Sequence, residues 1–280
     1  MDISFTRCTE DEARFTLNNA TAAFANALRR AMIAEVPSLA IEDVRIYDNT
    51  STLFDEMLAH RIGLLPLKTD LSVMVPRDEC SCGGVGCPAC TVSYTLSVEG
   101  PRMVYSRDLI PDDPRAAAAS ENIPVVKLHA GHKVVLEATA VVGRGREHAK
   151  WQPSVASGYK EFPVITIGEQ CDGCGMCTDE CPRNVLEIQG GRVAVVDGRL
   201  EECSLCRLCE RACLAGGIGT ESAIQVSVDP TRFIFTLEGD GSMPVRDIIG
   251  YALQYVRQTS MDLVEILSEI SGGIAHEERV

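Results

Sequence analysis

The chain has 280 residues, long enough for two or three domains with cores of their own. Forty acidic residues against 26 basic ones leave a formal net charge of −14, a balance that argues against direct gripping of a phosphate backbone. Charges at Asp2, Arg7, Glu10, Asp11, Glu12 and Arg14 interrupt the amino terminus, and no apolar run reaches membrane-spanning length, so neither a signal peptide nor a span is expected.

Ile3, Phe5 and Arg7 alternate with polar neighbours, as do Ala13, Phe15 and Leu17 after the polar TEDE turn, which predicts a hairpin. Phe24, Ala27, Leu28, Ala31 and Met32 then recur at three- and four-residue spacing and predict an amphipathic helix. Asn19 and Thr21 are its candidate N-caps, and Pro37 ends it by forcing Val36 toward an extended conformation. A strand follows over 40–47, then a short helix over 54–61 closed by Gly63. Strand-like runs cover 92–98 and 133–142. Between them PDDPRAAAASEN (111–122) reads as a polar, alanine-rich loop with no evident structural demand. Trp151 is a core anchor or an interface residue, and His148, lacking a convergent partner, reads as structural.

The hairpin's continuation stands at the far end, where Phe233, Phe235 and Leu237 alternate in RFIFTLEGDG. A long helix follows from Pro244, suited to a first helical turn, to about Ser271. Val245, Ile248, Ile249, Ala252, Leu253, Val256, Leu263, Leu267 and Ile270 form its apolar stripe. A helix this long extends past its own core, toward a partner.

The 13 cysteines of a chain without a secretory route point to metal ligands in a reducing cytoplasm. Cys171-x2-Cys174-x2-Cys177-x3-Cys181-Pro182 is repeated as Cys203-x2-Cys206-x2-Cys209-x3-Cys213, the spacing of a two-cluster bacterial ferredoxin. Three thiolates two residues apart wrap one cubane, while the fourth is too near in sequence to close the same site and crosses to the other. One cluster is thus assigned to Cys171, Cys174, Cys177 and Cys213, the other to Cys203, Cys206, Cys209 and Cys181. Two [4Fe-4S] clusters are expected, with a [3Fe-4S] form as the alternative for one. Leu214 stands where a second proline is usual, and VLEIQGGRVAVV between the repeats reads as a hairpin turning at Gly190-Gly191. A further group, Cys80, Cys82, Cys87 and Cys90, is interleaved with glycines like a zinc knuckle; free thiols and disulfides are the alternatives. Cys8, alone in a strand, reads as a small buried residue.

NALRRAMIAEVPSLAIEDV (26–44) followed by LAHRIGLLPL (58–67) resembles the assembly subunit of cellular RNA polymerases. That is the family of the bacterial alpha subunit's amino-terminal domain, and this version resembles its archaeal D-type branch. GREHAKWQP (145–153) is similar to the family as well, and the resemblance covers most of the chain. It implies an α+β fold with a discontinuous dimerisation domain (1–45 and 228–280). A β-rich domain (46–167) and a ferredoxin-like iron–sulfur module (168–227) are inserted into it. It also implies a heterodimer with a small L-type subunit that recruits the large catalytic subunits, alongside other small polymerase subunits, and meets DNA only through the complex. The related eukaryotic subunits carry a zinc loop similar to residues 80–90. By the same resemblance, subunit contacts fall on Phe24, Leu28, Arg29, Arg30, Met32, His60, Arg61, Ile248, Ala252 and Val256. Of these, Arg29 and Arg30, with residues 59–67, are placed against the second-largest subunit. No acidic metal cluster of the D-x-D-x-D kind occurs, so nucleotidyl transfer would lie in another subunit.

The clusters then serve as structural or regulatory staples of a module whose apolar side chains are few and short. The competing class is a ferredoxin-type electron-transfer subunit of an oxidoreductase. It accounts for eight cysteines but not for the polymerase-like motifs, and no flavin or nicotinamide fingerprint accompanies it: GRGR at Gly143 is not a G-x-G-x-x-G loop.

Overall fold

The alternating residues at the amino terminus form strands β1 (Asp2–Cys8) and β2 (Glu12–Asn18), joined by a turn in which Thr9 N–H donates to the Glu12 carbonyl at 2.8 Å. The structure, a computed structural model, describes residues 1–216 and 221–277. Helix α1 (Ala22–Ala34), strand β3 (Pro37–Asn49) and helix α2 (Asp55–Gly63) follow, then strands β4 (Thr91–Glu99), β5 (Arg102–Tyr105), β6 (Ile110–Pro111), β7 (Pro124–Leu128), β8 (Lys133–Arg144) and β9 (Ser154–Ile167). Helix α3 (Met176–Asp179), the hairpin β10 (Leu186–Gln189) and β11 (Arg192–Val195), helix α4 (Leu208–Gly216), strand β12 (Ile224–Gly239) and helix α5 (Val245–Glu277) complete the order. The result is a mixed α+β fold with several antiparallel sheets, one of them ordered β1-β2-β12-β9 and another β3-β8-β4-β6. No described helix is long and apolar enough to cross a membrane.

Two compact units are distinguished, both discontinuous in sequence. The first takes residues 1–4, 15–25 and 159–235. Its centre is aromatic: Phe15 stacks on Phe235 with centroids 4.9 Å apart, and Tyr159 meets Phe233 edge-on at 5.7 Å. The C-terminal strand does lie beside the N-terminal hairpin, as the alternation predicts. It starts at Ile224, nine residues before Phe233, because Ile224 and Val226 already pack with Leu186 and Val193 in a small second core. Cys8 departs from expectation. It is exposed, since β1 is the end strand of its sheet and turns almost every side chain to solvent.

Thr21 caps α1, its Oγ1 accepting from Phe24 N–H at 3.2 Å, whereas Asn19 takes a left-handed turn (φ 53°) just before it. Along the helix the fully buried positions are Ala25, Leu28, Ala31 and Met32, while Ala27 is exposed.

The second unit takes residues 5–14, 26–158 and 236–280. Here β3 begins at Pro37 itself, three residues before the expected start, because Pro37 already pairs with Arg144 of β8 and Leu39, Ala40 and Ile41 are buried. Leu58 and Ile62 of α2 pack with Tyr94, Leu96, Leu136 and Val104 in the main core. Residues 111–122, read as a loop without structural demand, prove to have one. Ala116 and Ala118 are buried, Ala118 bridges to Leu67, and Tyr94 Oη donates to the Ala116 carbonyl at 2.6 Å. Only small side chains fit under that approach. Tyr94→Phe strips this buried carbonyl of its donor, and chemical denaturation should register a loss of about 1–3 kcal/mol at unchanged slope.

Trp151 is a core anchor: it is buried, its Nε1 donates to the Val141 carbonyl at 3.1 Å, and Gly143 leaves room for its ring. His148 is structural, accepting from Lys150 N–H through Nδ1 at 3.1 Å. On α5, Val245, Ile248, Ile249 and Ala252 are buried, whereas Met261, Leu263, Val264, Ile266, Leu267 and Ile270 are exposed.

Candidate metal centres and subunit surface

Residues 80–90 turn through three glycines of positive φ, Gly83, Gly84 and Gly86, and bring four thiols to one point. Cys80 and Cys87 sulfurs lie 3.6 Å apart, those of Cys82 and Cys90 3.6 Å, and those of Cys87 and Cys90 3.9 Å. A tetrahedral ion with sulfurs at about 2.3 Å would hold them roughly 3.8 Å apart, so the spacing fits one closed four-sulfur site. Cys82 is drawn down to about 6, first by the backbone amide of Gly86 and then by the Cys80 thiol. Cys80 is pushed up to about 12: the amide of Cys82 favours its thiolate, but the neighbouring thiols and burial outweigh it. The lowering at Cys82 favours its thiolate, the form that binds a metal ion. Arg77 braces the turn, donating from Nε to the Gly84 carbonyl at 2.8 Å, and Glu79 pairs with Arg144 of β8. Nothing in the spacing of Arg77 marked it beforehand.

The ferredoxin-type cysteines form two separate sets. Cys171, Cys174, Cys177 and Cys213 line a cavity of about 370 Å³ together with Ile167, Val193 and Ile224. Cys181, Cys203, Cys206 and Cys209 line another of about 20 Å³ with Ile165, Leu186 and Val226. The sulfurs of each set do not converge as the knuckle's do, and a cubane would not require it, because each thiolate binds a different iron. Burial, then Cys213, Cys171 and Cys174, push the Cys177 thiol up; burial also dominates for Cys209, at about 11, opposed by the Glu210 amide and reinforced by Cys203, Cys181 and Cys206. The backbone is arranged around these thiols. Val185 N–H points at Cys181 Sγ (3.4 Å) and Ala223 N–H at Cys213 Sγ (3.3 Å). Leu205 and Arg207, either side of Cys206, hold φ of 59° and 57°, a left-handed conformation costing side-chain-bearing residues about 1–2 kcal/mol each. Gly190 and Gly191 make the hairpin turn between β10 and β11 with φ of 60° and 80°.

Away from the cysteines, α1 and α5 flank a groove of about 330 Å³ lined by Ala27, Arg30, Ala31, Ala34, Glu35, Tyr255, Val256, Thr259 and Ser260. Past Ser260, α5 carries the exposed apolar residues Met261, Leu263, Val264, Ile266, Leu267 and Ile270. The sequence matches the family model described as the RNA polymerase Rpb3/Rpb11 dimerisation domain over residues 14–259. It is also 46% identical to DNA-directed RNA polymerase subunit Rpo3 of Methanosarcina acetivorans and 47% identical to that of Methanosarcina mazei, each over 96% of this chain and 99% of the relative. Rpo3 of Archaeoglobus fulgidus is 46% identical over 92% of this chain and 94% of the relative. The chain belongs to the Rpb3/Rpb11 family.

A member of the archaeal, alpha-like branch of this family is a non-catalytic subunit of a nucleotidyltransferase, and it dimerises with the L-type subunit within the polymerase. The expected interface residues divide on burial. Leu28, Met32, Ile248 and Ala252 are fully buried inside this chain, so they hold its own core and offer a partner no surface. Phe24, Arg29 and Val256 keep partly open surface and Arg30 is exposed, with Arg29 bonded to Asn26 Oδ1 at 3.1 Å. His60 is exposed, while Arg61 spends its guanidinium on the Val125 and Pro124 carbonyls of β7, both at 2.7 Å. Of the groove residues, Ala27 and Ala31 belong to the predicted stripe of α1, whereas Ala34, Tyr255, Thr259 and Ser260 fall outside both predicted stripes.

Proposed function

We propose that this chain is the assembly platform of a DNA-directed RNA polymerase in the cytoplasm, stapled by two [4Fe-4S] clusters and one zinc ion. The dimer with the L-type subunit recruits the large catalytic subunits, with Arg29, Arg30 and residues 59–67 against the second-largest one. DNA is met only through the complex. In this reading residues 1–45 and 228–280 form the dimerisation domain, 46–167 the β-rich insertion and 168–227 the iron–sulfur module.

The observation that carries the cluster assignment is the sorting of eight cysteines into two cavities, each taking three from one repeat and one from the other. The module's core supports a stapling role. Among its described residues the buried apolar ones are Val185, Leu186, Val193, Ala223, Ile224 and Val226, four of them packed with Cys177 and Cys209, too little to order some 60 residues without metal. When bound, such clusters supply cross-links between segments and an electron-accepting centre. The chain's own residues aim the thiols, exclude water through the Ile, Leu and Val lining, and donate amides to sulfur. Electron transfer to an oxidoreductase is the less favoured reading, because the family match spans the cysteine repeats and both flanking halves of the chain.

The test is metal analysis of the anaerobically co-expressed heterodimer, which should carry about eight irons with matching sulfide and one zinc. Cys82→Ser should remove the zinc alone and leave the iron unchanged. Absence of zinc from the parent would discard the knuckle as a metal centre. A heterodimer fully assembled and equally stable without iron would discard the staples.

A further inference from the structure

We infer that Lys160 is a positioning residue for the second cluster, clamping its ligand loop to the sheet of β2, β12 and β9 and placing a cation against the ligand Cys203. The inference rests on the iron–sulfur reading above. Lys160 lies on β9, next to Tyr159, whose ring packs against Phe233 and Phe235. Its Nζ donates to the carbonyls of Glu201 (2.7 Å) and Cys203 (2.6 Å), where the chain leaves a single 3₁₀ turn, Leu200–Glu202, and enters the ligand loop. From β2, buried Thr16 adds a weaker tie, its Oγ1 3.4 Å from Glu201 Oε1.

The need for such a clamp is visible in the loop itself. Leu205 and Arg207 both hold left-handed backbone, a conformation that persists only where the surroundings over-determine it. One end of that loop runs into α4, whose Glu210 accepts from Val226 N–H of β12 at 2.5 Å. The other end has Lys160. Charge-assisted bonds to two carbonyls are stronger than neutral ones, and an ammonium beside a ligand's own carbonyl favours the more negative, reduced state of the cluster. Among the described residues the first set of cysteines has no equivalent: Cys171 follows β9 almost directly, and Gly168 is held by Arg192 and by a backbone bond to Ala223.

The experiment compares the anaerobic heterodimer of the parent with Lys160→Met and Lys160→Arg. Iron release to a chelator and potentiometric titration followed by electron paramagnetic resonance are the readouts. In Lys160→Met half of the iron should leave at least tenfold faster than in the parent, the other half at the parental rate. One of the two potentials should move at least tenfold against reduction, about 59 mV for one electron. Lys160→Arg, which keeps the cation, should restore most of the potential. Parental release rates and potentials in Lys160→Met would overturn the inference, as would an Arg variant whose potential matches the Met variant's. A parent without iron would instead sink the iron–sulfur reading. Should Lys160→Met yield no soluble heterodimer, Lys160→Gln, a shorter neutral donor, decides: faster release of half of the iron with one potential moved against reduction supports the inference, and parental values of both overturn it.

Discussion

Leu263→Asp with Leu267→Asp should abolish pairing with the L-type subunit while leaving this chain folded. Both leucines are more than half exposed within the chain, at 56% and 55%, so nothing in its own core depends on them. Yet they stand on a 33-residue helix whose apolar residues continue to Ile270 with no cover. Burial of a leucine stabilises by roughly 1.5–3 kcal/mol, so two lost leucines remove about 3–6 kcal/mol, on the order of 10²–10⁴-fold in Kd. The introduced carboxylates add a desolvation cost in the same direction. Titration of the labelled partner would read the loss, and circular dichroism of the variant would show an unchanged fold. Ile248→Asp makes the necessary contrast. Ile248 is fully buried, so a charge there should unfold the chain itself, and partner binding would fail for a different reason. If the double variant bound the partner as tightly as the parent, the outer length of α5 would not be the seam.

The difference between Leu263 and Ile248 also marks what the sequence makes legible. Periodicity identified both as members of one apolar stripe, because a helix presents every third or fourth residue to the same side. It carries no information on whether that side is covered by the same chain or by another. The stripe on α1 behaves alike: Leu28 and Met32 are buried, while Ala27 of the same stripe is exposed and lines the groove beside them. Non-local demands escaped in the same way. The alanines at 116 and 118 look featureless until Tyr94 and Leu67 are seen against them, and the start of β3 at Pro37 depends on Arg144, over a hundred residues away. Cys8 failed for the opposite reason, since a lone strand-like pattern does not say which strand ends a sheet. Metal-type spacing was legible because ligand geometry is local: three thiols at two-residue gaps constrain one another before any tertiary contact forms. Lys160, which acts on carbonyls forty residues away, leaves no such local trace.

Crossed ligation, part of the proposed cluster assignment, predicts the largest change in metal content. Cys181 belongs to the first repeat by sequence, yet it lines the cavity of Cys203, Cys206 and Cys209, while Cys213 lines that of Cys171, Cys174 and Cys177. The thiols that press on Cys177 and on Cys209 divide along the same line. Cys181→Ser should therefore release the second cluster, about half of the iron, and leave the first intact. Pairs of substitutions make the assignment independent of how completely one serine displaces a cluster. Cys181→Ser combined with Cys203→Ser should lose no more iron than either alone, because both act on one cluster. Cys181→Ser combined with Cys171→Ser should lose nearly all of it, because they act on two. Ligation in sequence order would invert the pattern: the 181/171 pair would then keep half of the iron and the 181/203 pair would keep none. Iron and sulfide counts on the four purified heterodimers separate the two arrangements without reference to transcription, since a ligand's cluster is defined by which other substitution it fails to worsen.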